Sequence, residues 1–130
     1  MRKLIICGSR SIRLTGGMKK ALLAFNLENG PFEIVHGGAV GVDLDAHALF
    51  YLAYGIEPIT FEPRYRFPGD REAPKIRNSL MAEYAAPDGA CIGIPDPESR
   101  GTWDMLRKAI AAGLETYRYD MGTHVLVRMK

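Results

Sequence analysis

The sequence has few cysteines, no long apolar run and almost no net charge, and each of these shortages excludes a class of protein. Two cysteines, Cys7 and Cys91, stand in 130 residues without a C-x-x-C motif. They are too few for a disulfide scaffold and favour two buried thiols in a reducing compartment. No apolar run approaches the length of a membrane span, and no secretory signal follows the basic N-terminus. We therefore expect a cytoplasmic protein that does not contact membranes.

The charge balance argues against a general nucleic-acid binder. The chain has 17 lysines and arginines and 15 acidic residues, so its net charge is only +2. The charges are nevertheless uneven along the chain. Six basic residues lie within 1–30 and five within 64–80, whereas 31–63 holds five acidic residues and no basic one. The three histidines lack the spacing of metal ligands. We therefore predict basic loops that hold an anion, with no metal and no cofactor.

Glycine is the residue present in excess, at 14 of 130 positions against a usual share of about 7%. Short apolar runs that end at glycine or proline predict strands, and segments of helical period alternate with them. The predicted strands are 3–7, 32–36, 56–61, 90–94 and 114–119, and the predicted helices are 15–28, 43–54, 74–85 and 102–112. The alternating tail 123–129 could add one more strand, in antiparallel orientation.

This alternation predicts a single α/β domain over residues 1–130, with a doubly wound, mainly parallel five-stranded sheet and helices on both faces. In such a sheet the ligand crevice lies outside the carboxyl ends of the strands. Four segments that follow strands should meet there, namely Gly8–Ser11, His36–Asp43, Arg64–Met81 and Pro95–Asp104.

These four segments carry residue types that bind phosphate groups and sugars. Glycine lets the backbone approach a ligand, N–H groups at a helix start attract anions, and arginine pairs with phosphate. The spacing G-G-x-x-G after the second strand matches neither the dinucleotide fingerprint nor the P-loop, and Asp43 could hold a ribose hydroxyl. The candidate ligand-binding residues are Gly8, Ser9, Arg10, His36, Gly37, Gly38, Gly41, Asp43, Arg77, Asn78, Gly101 and Thr102.

Several of these residues also have a plain structural interpretation. Asp43 and Thr102 could be helix N-caps and nothing more, and His36 could be a hydrogen-bonded histidine at the end of a strand. Trp103 could stack on a base or pack against a neighbouring subunit. The helical spacing of three apolar residues predicts the core stripe of the third helix, at Ile76, Leu80 and Tyr84.

Four motifs together resemble the SLOG superfamily, in particular its small stand-alone YspA/YpsA-related branch. They are Cys7–Arg10, His36–Asp43, Arg77-Asn78-x-x-Met81 and Gly101-Thr102, and the resemblance runs from about residue 3 to 118. It implies a Rossmann-like fold, a nucleotide or nucleotide-derived small molecule as partner, and a homo-oligomer. Known members include phosphoribohydrolases of the LOG lineage, which act on nucleoside 5′-monophosphates, sensors of nucleotide signals, and single-strand DNA binders of the DprA/Smf lineage.

The sequence departs from the hydrolase lineage at one motif. That lineage carries P-G-G-x-G-T-x-x-E, with a catalytic glutamate, beside an arginine in R-x-x-x-M. Arg77 and Met81 match the arginine motif, but the glutamate position is Met105, which transfers no proton. If the chain is an enzyme, Arg77 and Asp104 are the catalytic residues that the resemblance leaves. Asp104 lies one residue earlier, a rotation of about 100° on a helix.

The leading expectation is therefore a SLOG-type sensor or binding protein for a nucleotide. The alternative is a LOG-like N-glycosidase that cleaves the base from a nucleoside 5′-monophosphate. A third function, DprA-like binding of single-stranded DNA, would use the basic residues Lys19, Lys20, Arg64, Arg66 and Arg71, and the small net charge disfavours it.

Overall fold

Four helices and six strands alternate along the chain in a computed structural model that describes residues 1–130. The strands are β1 Lys3–Gly8, β2 Glu33–His36, β3 Ile59–Thr60, β4 Ala90–Ile94, β5 Glu115–Asp120 and β6 Val125–Arg128. The helices are α1 Gly16–Asn29, α2 Val42–Tyr54, α3 Glu72–Ala85 and α4 Arg100–Ala111. No helix combines the length and the apolar composition that a membrane span requires.

The strands form one sheet in the order β3-β2-β1-β4-β5-β6. The first five are parallel, and β6 runs antiparallel to β5. The predicted α/β class with a mainly parallel sheet is confirmed, and the arrangement is consistent with a Rossmann-like fold. The sheet has six strands rather than five, because the alternating tail pairs with β5. The strand order reverses between β1 and β4, which is where ligands bind in sheets of this kind.

Both faces of the sheet are covered, and β1 shows the pattern most clearly. Leu4 and Ile6 point to the face covered by α1 and α2, while Ile5 and Cys7 point to the face covered by α3 and α4. Successive side chains of a strand point to opposite faces, so an all-apolar strand must be buried on both. Both cysteines are buried free thiols.

The third strand is shorter than the predicted segment 56–61. Only Ile59 and Thr60 pair with β2, as an edge strand. Pro58 lacks an N–H group and cannot continue the ladder towards the N-terminus.

The predicted core stripe of α3 is wrong. Ile76, Leu80 and Tyr84 are 49%, 48% and 37% exposed, and the face of α3 that packs inward carries Ala73, Asn78, Met81, Ala82 and Ala85. The small alanines let α3 approach the sheet closely. Relative to the prediction, α3 is therefore rotated about its own axis. This orientation brings polar residues of its N-terminal half to the carboxyl ends of the strands.

Candidate functional site

A cavity of about 440 Å³, called here the central cavity, lies at the carboxyl ends of β1 and β4. All four predicted segments contribute to its wall. The wall consists of residues 7–11 at the end of β1 and just after it, Ala39 and Asp43 around the start of α2, four residues of α3 between 74 and 81, and residues 96 and 98–102 together with Met105. The switch point of the strand order therefore coincides with the cavity.

Asp43 is the most unusual side chain of this wall. It is 4% exposed, and its Oδ2 accepts hydrogen bonds from the backbone N–H groups of Gly37, at 2.9 Å, and Ala39, at 3.4 Å. Its Oδ1 is buried and has no hydrogen-bond partner. Buried polar atoms are rarely left without a partner. An unpaired acceptor in a cavity wall therefore indicates a place for a hydrogen-bond donor of a ligand.

The alternative interpretation of Asp43 as a helix cap is wrong. The residue at the cap of α2 is Gly41, and Asp43 lies inside the first turn. Its carboxylate instead closes the glycine loop that precedes the helix.

Burial raises the pKa of the Asp43 carboxyl to about 6. The backbone N–H groups of Gly37, Ala39 and Gly8 and the charge of Arg77 act in the opposite direction but do not outweigh burial. Asp43 is therefore mostly ionised at neutral pH and protonates within a mildly acidic range.

Arg77 reaches from α3 across the crevice to the glycine loop. Its Nη1 donates to the carbonyl oxygens of Gly37, at 2.6 Å, and Phe61, at 3.2 Å, and its Nε donates to Asn78 Oδ1 at 2.9 Å. A β-carbon at Gly37 would overlap the guanidinium, so this approach requires glycine there. Arg77 consequently has a structural task in addition to any contact with a ligand.

The N-terminus of α4 faces the central cavity and offers free hydrogen-bond donors. The backbone N–H groups of Gly101 and Thr102 have no partner, and both residues line the cavity. The predicted cap, Thr102, lies inside the helix, whose N-cap is Ser99. Arg10 and Arg100 are exposed and line the same cavity. Free amides at a helix start together with two guanidinium groups form an anion-binding surface.

The two loops beside this surface are tied together by Ser9 and Asp96. The Ser9 hydroxyl donates to Asp96 Oδ2 and accepts from the Ser11 N–H. Asp96 Oδ1 accepts from the Glu98 N–H at 2.8 Å. These hydrogen bonds lower the pKa of Asp96, with the Ser9 bond the largest cause. Ser9 thus shapes the cavity through its neighbour.

A hydrogen bond between Asn78 and Asp104 connects α3 to α4. Asn78 lines the cavity, but its Nδ2 donates to Asp104 Oδ2 at 3.0 Å, and Lys108 Nζ binds the same oxygen at 2.8 Å. Burial raises the pKa of Asp104, but the hydrogen bonds from Lys108 and Asn78 outweigh it and leave the pKa below the usual value. Asp104 is not among the residues that line the cavity, whereas its neighbour Met105 is.

His36 is fully buried and its ring nitrogens are paired. Nδ1 accepts from the Gly38 N–H at 3.0 Å, so Nε2 carries the proton and donates to His47 Nδ1 at 2.7 Å. Burial, followed by the charges of His47 and Arg77, lowers the pKa of His36 to about 4. His36 lines neither this cavity nor its neighbour. The structural interpretation of this histidine therefore fits its surroundings.

The predicted glycines fall into three places. Gly8 and Gly101 line the central cavity, and Gly37 and Gly38 line an adjacent one. Gly41 lines neither cavity. It has a φ of +86°, and a β-carbon there would overlap the carbonyl oxygens of Ser9 and Arg10.

Sequence reasoning missed several wall residues. Asp96 could have been found, because an Asp-Pro pair one residue after a buried strand predicts a side chain that organises a turn. Met81 and Met105 belong to the motifs quoted above, but neither was named as a ligand-binding residue, since apolar helix residues are predicted for the core. Trp103 lines neither this cavity nor its neighbour, and its Nε1 donates to the carbonyl of Asp96 at 3.1 Å.

No family model matches the chain, and no curated protein or solved structure matches it either. The function proposed below therefore rests on the geometry of the site and on the motifs of the sequence.

Proposed function

We propose that the chain binds a nucleotide or a nucleotide-derived ligand in the central cavity, as a SLOG-type binding protein or sensor. The observation that carries the proposal is the unpaired, buried Oδ1 of Asp43 in the cavity wall. Asp43 lines the same cavity as Gly101 and Thr102, whose N–H groups are free. A ligand with hydroxyl groups at one end and an anionic group at the other would donate to the Asp43 oxygen and accept from the Gly101 and Thr102 N–H groups.

The phosphate of such a ligand would lie at the start of α4. There the Gly101 and Thr102 amides donate, and the guanidinium groups of Arg10 and Arg100 supply positive charge. The ribose would lie beside Asp43, which accepts a hydrogen bond from a hydroxyl group.

Titration calorimetry with inorganic phosphate and nucleoside 5′-monophosphates tests the proposal. Because Arg10 is exposed and makes no hydrogen bond within the chain, Arg10→Ala should lower the affinity about tenfold and leave the fold unchanged. Arg13→Ala is the matched control, since Arg13 pairs with Asp45 away from the cavity. If Arg10→Ala and the wild type bind every nucleotide with equal affinity, the proposal is wrong.

A second candidate function, an N-glycosidase, is favoured by one observation. A carboxyl with a pKa near 6, as at Asp43, suits general acid–base catalysis near neutral pH. The catalytic carboxyl would then be Asp43 rather than Asp104, which is occupied by Asn78 and Lys108. Release of free base and ribose 5-phosphate from nucleoside monophosphates would support this function, and intact nucleotides after long incubation with concentrated protein would exclude it.

We also propose that the chain is a homo-oligomer that pairs through the outer face of α2 and the residues that follow it. Leu44, Tyr51 and Leu52 lie on this face of α2, and Ile56 follows the helix cap Gly55. These four side chains are between 46% and 82% exposed. Several large apolar side chains exposed on one side of a domain are typical of a protein interface.

A further inference from the structure

A second cavity, called here the side cavity, adjoins the central one on the side of β2 and β3. It is open, has a volume of about 360 Å³, and lies between the glycine loop and residues 62–65 after β3. Arg10, Ala39 and Arg77 line both cavities. A ligand held in the central cavity can therefore extend past these three side chains into the side cavity.

The shared wall presents hydrogen-bond donors. Arg10 makes no hydrogen bond within the chain, so its whole guanidinium is free. Arg77 uses Nε and Nη1 for contacts with the protein, and its Nη2 makes none. Free guanidinium N–H groups suit acceptor atoms such as the ring nitrogen and carbonyl oxygen of a purine.

The outer wall presents an acceptor and an aromatic ring. Glu62 is exposed and makes no hydrogen bond or ion pair within the chain, and Tyr65 is 55% exposed. A tyrosine ring next to a groove is a platform on which a base can stack. The Glu62 carboxylate accepts from two adjacent N–H donors and repels an acceptor.

The two cavities are linked through Gly37. Its N–H donates to Asp43, and its carbonyl accepts from Arg77 at 2.6 Å. A ribose held by Asp43 would therefore lie beside Arg77, which lines both cavities. With the phosphate at the start of α4, the base of the same nucleotide would extend towards Tyr65.

Resting on the function proposed above, we propose that the side cavity is a nucleobase subsite that selects guanine. Guanine presents two neighbouring donors, N1–H and the 2-amino group, to the Glu62 carboxylate. It presents its acceptors N7 and O6 on another edge, towards the guanidinium groups. Adenine places the acceptor N1 where guanine has a donor, and hypoxanthine lacks the 2-amino group.

Calorimetric titration of the full chain with GMP, IMP and AMP tests this inference. GMP should bind about tenfold more tightly than IMP or AMP, the difference that one well-formed pair of hydrogen bonds supplies. Glu62→Gln should bring the GMP-to-IMP affinity ratio close to one. Tyr65→Ala should weaken binding of all three nucleotides about tenfold. Glu28→Gln and Phe67→Ala are the matched controls, since these exposed residues line neither cavity.

The outcomes separate this inference from the function on which it rests. Equal affinities for GMP and AMP, or a preference for GMP that survives Glu62→Gln, would overturn the guanine subsite and leave nucleotide binding in place. Binding that responds to Arg10→Ala but not to Tyr65→Ala would place the base in the central cavity, and would overturn it too. Failure of every nucleotide to bind would overturn both proposals.

Discussion

Asp43 shows how a single side chain can be held for two purposes. One carboxylate oxygen closes the glycine loop through two backbone N–H groups, and the other is buried without a partner in a residue that lines the cavity. Leaving a buried acceptor unpaired costs about 1–3 kcal/mol. A ligand that donates to this oxygen recovers that free energy, which links the cost in the free protein to affinity for the ligand.

The pKa of Asp43 gives ligand binding a pH dependence of known sign. A hydroxyl donor needs the ionised carboxylate, so affinity should be constant above neutral pH and fall as the pH decreases through about 6. Nucleotide affinity should be measured between pH 5 and 8 for the wild type and for Asp43→Asn. Because the phosphate of the ligand also titrates near pH 6, the difference between the two profiles isolates Asp43. Superimposable profiles would contradict the role of this carboxylate.

His36 should remain neutral well below the usual histidine pKa. Its pKa of about 4 means that the unfolded chain binds a proton between about pH 6.5 and 4 that the folded chain does not. The contribution of His36 to stability is therefore lost as the pH falls through this range. The ring resonances of His36 in nuclear magnetic resonance spectra should not change between pH 8 and 5.5. A titration midpoint near 6.5 would show that the buried pair with His47 does not form.

The glycine loop and α2 depend on a close backbone crossing that no side chain can enter. Gly41 combines a φ of +86° with direct contact to the β1–α1 loop, whereas Gly55 has a φ of +72° and open space where a β-carbon would lie.

The strands and helices of the chain were predictable because alternating apolar runs and helical periods are local signals. The rotation of α3 was not, because the sequence shows an apolar stripe at Ile76 and Leu80 but not which stripe the sheet will bury.

Gly41→Ala should destabilise the chain more than Gly55→Ala. Both place an alanine at positive φ, which costs about 1–2 kcal/mol, and Gly41→Ala also forces a β-carbon against the carbonyls of Ser9 and Arg10. Urea unfolding at pH 7 compares the two variants. Equal free energies of unfolding would show that the loop relaxes without cost.

At the scale of the whole molecule, the sequence predicted the order of the elements and the meeting of four loops at one sheet edge. It did not predict which loop residues would face the cavity and which would hold neighbouring segments in place. Motif order placed Arg10, Asp43 and Gly101 at the crevice. Motif order could not show that the side chains of Ser9 and Asn78 form hydrogen bonds with a neighbouring loop and a neighbouring helix. Such pairings depend on contacts between segments distant in the sequence, for which no local pattern exists.

The exposed stripe of α2 predicts an oligomer that a single charge disrupts. Leu52→Lys should convert the assembly to monomers, because Leu52 is 82% exposed near the middle of the stripe and a buried lysine would lack a partner. Leu27→Lys is the matched control, since Leu27 is 81% exposed on α1. Light scattering coupled to size-exclusion chromatography measures the mass. A monomeric wild type, or an oligomer unaffected by Leu52→Lys, would contradict this surface as the interface.

Binding of a nucleotide at the start of α4 is tested most directly by following the backbone amides during titration. In ¹⁵N–¹H correlation spectra recorded with increasing GMP, the largest and saturable shifts should belong to Gly101, Thr102 and the 8–11 loop. The amides of Gly37 and Ala39 should follow them through Asp43. Spectra that do not change, or shifts confined to residues away from the central cavity, would contradict nucleotide binding at this site.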